Sequence, residues 1–246
     1  MYVVGIGPGA YDLLTLRADR VLKEVEEIVG YKTYIKLVKP HFPEKDFREF
    51  GMGEELKRIS YAVDMVLKGK SVALISGGDP TIYGMVSPLI EYILEHNLNI
   101  DFEVIPGVTS MVAASSLIGA PLGNDFATIS LSDYLVDWGE IVERLKTVLL
   151  TKMTVVLYNP VSREKEEKIR VVKDLIVKSR GKDTLLGIVT NAERDRQKCE
   201  VIPVLALSPN KVSMRSIIFV SGPNTVWKNG YLFTQRGYEM RKVSVK

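Results

Sequence analysis

Short apolar runs alternate with longer stretches of helical spacing along most of this chain, and the runs stop at glycine or proline. The run at 2–6 predicts a buried strand, after which Thr15 can cap a helix with Leu16, Val21, Leu22 and Val25 on one face. A second strand is expected at 28–31. The stretch 39–50, with Pro40, His41 and Pro43, reads as an irregular polar connection to a helix over about 54–68 that Gly69 can end. Third and fourth strands are expected at 71–75 and 102–105, with one helix between them running through Glu95 and another after "PGVTS". Strands alternating with helices imply parallel pairing and right-handed crossovers.

The pattern starts again after "GAPLGND", which divides the chain into domains at 1–119 and 120–246. A strand at 126–130 is followed by a helix that Asp137 can cap, with Ile141, Leu145 and Val148 on one face. "TVVLYNP" ends in an Asn-Pro stop, and Ser162 can cap the next helix with Glu164 and Glu166 near its positive end. Further strands at 185–190 and 217–221 precede an Asn229-Gly230 hairpin signal, so the second half reads as α/β with an antiparallel tail. In the first half, strands ending at Gly5, Ser76 and Pro106 run directly into turns. Such exits share one sheet edge, where parallel sheets bind ligands.

Composition narrows the class. The chain has 246 residues, 46% hydrophobic and 26% charged, which is ordinary for a folded globular protein and leaves room for two domains. A net charge of +3, with basic residues scattered along helix faces, does not indicate nucleic acid and suits a polyanionic small molecule. Cys199 is the one cysteine, which excludes an intrachain disulfide framework and a multi-cysteine zinc site; no metal site is expected, and a reducing cytoplasmic setting fits. No signal peptide is read at the N-terminus. The uncharged stretch between Glu103 and Asp125 holds Pro106, Gly107, Gly119 and Pro121, so it reads as a buried turn and helix, not a membrane span.

The first turn, "GIGPG", tests for a dinucleotide. That chemistry needs G-x-G-x-x-G and an acid closing the second strand for the ribose hydroxyls. Here Pro8 removes an N–H where a phosphate cradle wants a donor, and Glu26 and Glu27 precede the second strand. Both features argue against NAD or FAD, and a lone glycine turn is often only a bend. Asp79, after Gly77-Gly78, has two open readings. It caps Thr81 or Ile82, or it faces the positive charge of a ligand that the glycines admit.

The segments "VGIGPGAYDLLTLRA", "VALISGGDPTIYG", "VIPGVTSMVAASSLIGAPL" and "VVLYNP" stand in the order and spacing of the tetrapyrrole methylases, which use S-adenosylmethionine, and the chain resembles that family over nearly its whole length. "VGYKTYI", "DFATISLSDYLVDW" and "VVLYNPVSREK" look more narrowly like the C17-methyltransferases that act on precorrin-3B or cobalt-factor III in cobalamin synthesis. The resemblance implies a two-domain α/β fold with S-adenosylmethionine in the interdomain cleft, a homodimer, and a tetrapyrrole substrate with or without cobalt. One departure stands out: where the family's first loop usually reads Gly-Asp-Pro, this chain has Ala10, Tyr11 and Asp12 after Gly9. The alternatives are a sister methylase acting at C11 or C20, a nucleotide-linked oxidoreductase, and a non-catalytic binding module.

By the same resemblance, Gly77, Gly78, Asp79, Ile82 and Tyr83 would hold the methionine part of the cofactor, with Thr109 and Ser110 beside it and Pro8 lining the floor toward the substrate. Tyr158, Asn159 and Ala192 would close over the adenosine. Lys32, Arg163 and Arg215 are candidates to orient the macrocycle's carboxylates. Thr33, Ser132 and Asn159 are polar groups suited to stabilising shifting charge. No catalytic acid or base is singled out; His41 reads as a loop histidine, His96 as a helix-end residue, and Cys199 as inert.

Overall fold

The structure is a computed structural model that describes residues 1–160 and 165–238. It divides into two compact units, Met1–Ser110 and Met111–Lys246. The first unit contains β1 (Tyr2–Gly5), α1 (Leu16–Glu24), β2 (Glu27–Tyr31), α2 (Lys32–Val38), β3 (Asp46–Phe50), α3 (Glu55–Leu67), β4 (Val72–Ser76), α4 (Val86–Glu95) and β5 (Glu103–Ile105). Its sheet is wholly parallel, in the order β3-β2-β4-β1-β5. Side-chain alternation along the strands feeds two cores. Val4, Ile28 and Ile75 pack with Ala18, Leu22 and Ile35 of α1 and α2, while Val3, Val29 and Leu74 pack with Ile59, Ala62 and Leu89 of α3 and α4.

Local signals place these elements, with two corrections. Thr15 caps α1 by accepting the Ala18 N–H at 3.1 Å, and Gly69 follows α3 in the left-handed conformation. Leu16, however, is 85% exposed, because it lies about 200° around the helix from Ala18. The buried face is Ala18, Val21 and Leu22, continued by Val25. The stretch 39–50 is not irregular throughout, since its end is the edge strand β3. Its exposed Asp46, Arg48 and Glu49 conceal it from a hydrophobicity pattern while suiting an edge that must resist further pairing.

The second unit contains α5 (Ser110–Ile118, from the boundary residue), β6 (Gly119–Ala120), β7 (Phe126–Ser130), α6 (Trp138–Leu149), β8 (Thr154–Tyr158), α7 (Lys165–Arg180), β9 (Leu185–Thr190), β10 (Lys198–Pro203), β11 (Ser216–Val220), β12 (Thr225–Lys228) and β13 (Tyr231–Thr234). The main sheet runs β10-β9-β11-β8-β7, parallel only between β7 and β8. Antiparallel pairing thus enters this sheet through β10 and β11 and is not confined to a tail. Ile141 and Leu145 of α6 and Ile169, Val172 and Ile176 of α7 cover it.

The "GAPLG" stretch is built into this unit. β6 pairs with β13, and the hydroxyls of Thr154 and Thr234 both donate to the Pro121 carbonyl, at 3.0 and 2.7 Å. Asp137 caps α6 through the Gly139 N–H at 2.8 Å, and Asn229 and Gly230 both take positive φ in the β12–β13 turn. Ser162, Arg163 and Glu164 lie outside the described residues. Among the described residues, no helix is long and apolar enough to cross a membrane.

Candidate functional site

Three neighbouring strands of the first unit, β4, β1 and β5, deliver their exit loops to one edge, and those loops are fastened backbone to backbone. Gly7 and Gly78 exchange both hydrogen bonds, at 3.2 and 2.7 Å. A Cβ on Gly5 would stand 2.7 Å from both Gly107 N and Gly78 O, and one on Gly107 would stand 2.2 Å from Gly78 O. Glycine is therefore required at 5 and 107 by contact. At Gly78 it is favoured by φ +68°, since a Cβ there would meet nothing closer than 3.5 Å, from Ser110 N and Thr109 Cα. Pro8 is buried between left-handed Gly7 and Gly9.

The Asp79 carboxylate belongs to this fastening. Oδ1 accepts the Thr81 N–H at 2.8 Å and its hydroxyl at 2.5 Å, while Oδ2 accepts the Gly107 N–H at 3.0 Å. Burial pushes its pKa up, but the hydrogen bonds from Thr81 and Gly107 together outweigh burial and hold it below the ordinary value of 3.8. The side chain makes the Thr81 cap that one of the two readings expects and adds a second bond to the β5 exit. Ile82 is half-buried one turn later, its N–H on the Asp79 carbonyl at 3.3 Å. Tyr83 is 52% exposed at φ +51°, a strained backbone for an aromatic residue, and strain of this kind concentrates at functional sites. Thr109 is buried and Ser110 half-buried.

In the second unit β7, β8 and β9 point the same way and β10 and β11 run opposite, so three exits and two entries share an edge. Tyr158, 7% exposed, accepts the Met111 N–H on its hydroxyl at 3.1 Å. Asn159, at φ +50°, donates through Nδ2 to Ser130 Oγ at 3.0 Å, and the same oxygen accepts the Ser132 N–H at 3.3 Å. Ala192 is buried between Asn191 and Glu193, both left-handed, and Asn191 N donates to the Arg215 carbonyl at 3.1 Å. The expected residues therefore form a glycine-loop group at 8, 77–79, 82–83 and 109–110, a Ser132–Tyr158–Asn159 group, and an Ala192–Arg215 pair. The side chains of Lys32 and Arg215 are exposed, Thr33 is half-buried, and Arg163 lies outside the described residues.

Some shaping residues escaped the sequence reading. Tyr34 presses its ring on Gly77, where a Cβ would lie 2.6 Å from ring carbons. The one available signal was the Tyr31-x-x-Tyr34 spacing. The left-handed residues Asn191, Glu193 and Arg196 contain no glycine to betray the turn. Tyr11, in the loop that departs from the family's pattern, stacks on His41 at 4.0 Å and donates to Asp19 Oδ1 at 2.6 Å. Burial, with Glu193 nearby, raises the Cys199 thiol's pKa, which keeps it protonated at neutral pH.

The family model for Tetrapyrrole (Corrin/Porphyrin) Methylases matches residues 1–206. The chain is 41% identical over 238 residues to the cobalamin biosynthesis protein CbiHC of Archaeoglobus fulgidus, a match covering 97% of this chain and 52% of that protein. It thus spans about half the length of that relative. It is 36% identical to a probable cobalt-factor III C(17)-methyltransferase of Salmonella typhimurium, covering 97% of this chain and 99% of that one. Among solved structures, the methyltransferase CobJ superposes with a TM-score of 0.90 at 28% identity, covering 95% of this chain and 98% of that one. A uroporphyrin-III C-methyl transferase from Thermus thermophilus, complexed with S-adenyl homocysteine, shares the fold with a TM-score of 0.69 at 23% identity, covering 89% and 96%.

Proposed function

The chain belongs to the tetrapyrrole methylases, and on that premise we propose that it transfers a methyl group from S-adenosylmethionine to C17 of cobalt-factor III or precorrin-3B, with contraction of the macrocycle, in cobalamin synthesis. The observation that carries this reading is the match to the Salmonella C(17)-methyltransferase along 97% of this chain and 99% of that one. A sister activity at C11 or C20, or a nucleotide-linked oxidoreductase, has no comparable support.

The first unit's loops fit a cofactor of this kind. Pro8 offers no N–H to a phosphate, and S-adenosylmethionine carries none; Gly78 is left-handed, a conformation that glycine adopts freely and that leaves its backbone without a side chain toward a ligand. When bound, the cofactor supplies an electrophilic methyl on a sulfonium. Gly77, Gly78, Asp79, Ile82, Tyr83, Thr109 and Ser110 hold its methionine part, and Asp79 also fixes the two loops to each other. Tyr158, Asn159 and Ala192 contact the adenosine, and Pro8 forms the floor toward the substrate. In-line displacement at carbon asks the protein chiefly for position, so rigid backbone is the appropriate equipment.

Lys32, Arg163 and Arg215 orient the macrocycle's carboxylates, while Thr33, Ser132 and Asn159 stabilise charge as the ring contracts. The same reading makes the protein a cytoplasmic homodimer without a nucleic-acid or membrane partner. Incubation of a panel of partly methylated tetrapyrroles with isotope-labelled S-adenosylmethionine tests it. Label should enter cobalt-factor III or precorrin-3B; transfer only to a less methylated porphyrinoid contradicts the reading.

A further inference from the structure

Between the end of β7 at Ser130 and the cap of α6 at Asp137, the chain crosses a short loop whose anchoring exceeds what a connection needs. Leu131 is 3% exposed in the core, and its N–H donates to the Tyr158 carbonyl at 2.9 Å. Val136 packs on the same core. Between them, Asp133 forms an ion pair with Lys168 of α7, a lysine whose side chain is only 7% exposed. The Lys168 ammonium also lies 5.2 Å from the centroid of the Trp138 ring. An ion pair with its lysine buried is a poor device for raw stability, because desolvation opposes it, but it does hold one geometry.

What these anchors display is apolar. Tyr134 is 72% exposed and Leu135 89%, adjacent at the tip. Single exposed apolar residues need no explanation, but two large ones held out together on a fastened loop do. The loop begins at Ser130, whose Oγ accepts from Asn159, one of the residues proposed above for the adenosine. A tetrapyrrole has broad apolar faces and a rim of carboxylates. Leucine and the body of a tyrosine match such a face, and the phenol can donate to the rim.

We infer that Tyr134 and Leu135 form a contact surface for one face of the tetrapyrrole, and that the Lys168–Asp133 pair positions them. The inference rests on the proposed function and adds the residues that select its substrate. Tyr134 and Leu135 are substrate-contact residues; Lys168 and Asp133 are positioning residues.

The test uses the full chain with Tyr134→Ala and Leu135→Ala combined, a change confined to exposed side chains. KM for cobalt-factor III should rise at least about tenfold, with the S-adenosylhomocysteine affinity from calorimetry and the molar mass from light scattering unchanged. Asp133→Ala should raise KM in the same way, and Asp133→Glu should keep it within about threefold of the parent. A KM within about twofold of the parent in the double variant overturns the inference. So does a parallel loss of cofactor affinity, which marks a structural role, or loss of a dimer at unchanged KM, which assigns the surface to a second copy. A parent protein that binds S-adenosylhomocysteine yet leaves cobalt-factor III and precorrin-3B unmethylated removes the proposed function and this inference together; turnover by the parent with unaffected variants removes the inference alone.

Discussion

The Asp79 carboxylate accepts the backbone N–H of Gly107 at 3.0 Å across 28 residues of sequence, joining the loop that leaves β4 to the loop that leaves β5. With its other oxygen on Thr81, this acid fixes the shape of the glycine loops. Asp79→Ala is expected to destabilise the first unit by about 1–2 kcal/mol through its lost hydrogen bonds, measured by urea denaturation.

The same carboxylate gives a pH signature. Its folded pKa lies below the ordinary 3.8, so its contribution is fully present above that value and drains away as pH falls through the folded pKa. Between pH 5 and pH 3 (about one unit either side of 3.8), the denaturation midpoint of the parent should fall more steeply than that of Asp79→Asn. Parallel profiles would remove Asp79 from the account of acid stability.

The glycines should separate by mechanism. Gly107→Ala drives a Cβ to 2.2 Å from a backbone carbonyl, and is expected to cost at least about 3 kcal/mol or to prevent folding. Gly78→Ala meets neighbours at ordinary van der Waals distance and only the penalty of its positive φ, about 1–2 kcal/mol. Gly78→Leu should remain folded by circular dichroism yet lose S-adenosylhomocysteine binding by calorimetry. Unfolding of Gly78→Leu would favour a purely structural role, and unchanged binding would move the proposed site elsewhere.

Tyr158→Phe leaves the Met111 N–H without its partner at the start of α5, where Tyr158 is 7% exposed. The expected cost is about 1–3 kcal/mol in a thermal or denaturant melt. No change would mean that water replaces the phenol there.

Arg180 closes the second unit by donating to the carbonyls of Leu149, Thr151, Met153, Val220 and Ser221, at 2.8–3.2 Å. Arg180→Met keeps the length of the stem and strands these acceptors. A loss of about 3 kcal/mol is expected on denaturation, with little change in methyl-donor affinity when the folded protein is titrated.

The parts legible in the sequence are those fixed by local chemistry. The runs that became β1, β4 and β8 have unbroken apolar centres and lead into glycine or Asn-Pro, while Thr15 and Asp137 announce their helices by hydroxyl and carboxylate caps. What stayed hidden depends on tertiary position. β3 is a charged edge strand, and so is β10, whose outer position leaves Lys198 and Cys199 exposed and breaks the apolar pattern. Leu16 fits a helix pattern but sits on its solvent side. For the glycine loops, the sequence located the turns without revealing that Gly5, Gly78 and Gly107 touch, because a missing side chain announces freedom, not its neighbour. Asp79 remained ambiguous for the same reason: one of its partners, Gly107, is distant in sequence.

The central claim is that this chain methylates C17 of a cobalamin precursor and contracts its ring. Cobalt-factor III incubated with the protein and S-adenosylmethionine labelled with carbon-13 in the methyl group, followed by NMR of the isolated product, tests it most directly. One labelled methyl on C17 and loss of the C20 bridge position are expected. Label at C11 or C20 on an intact macrocycle would contradict it.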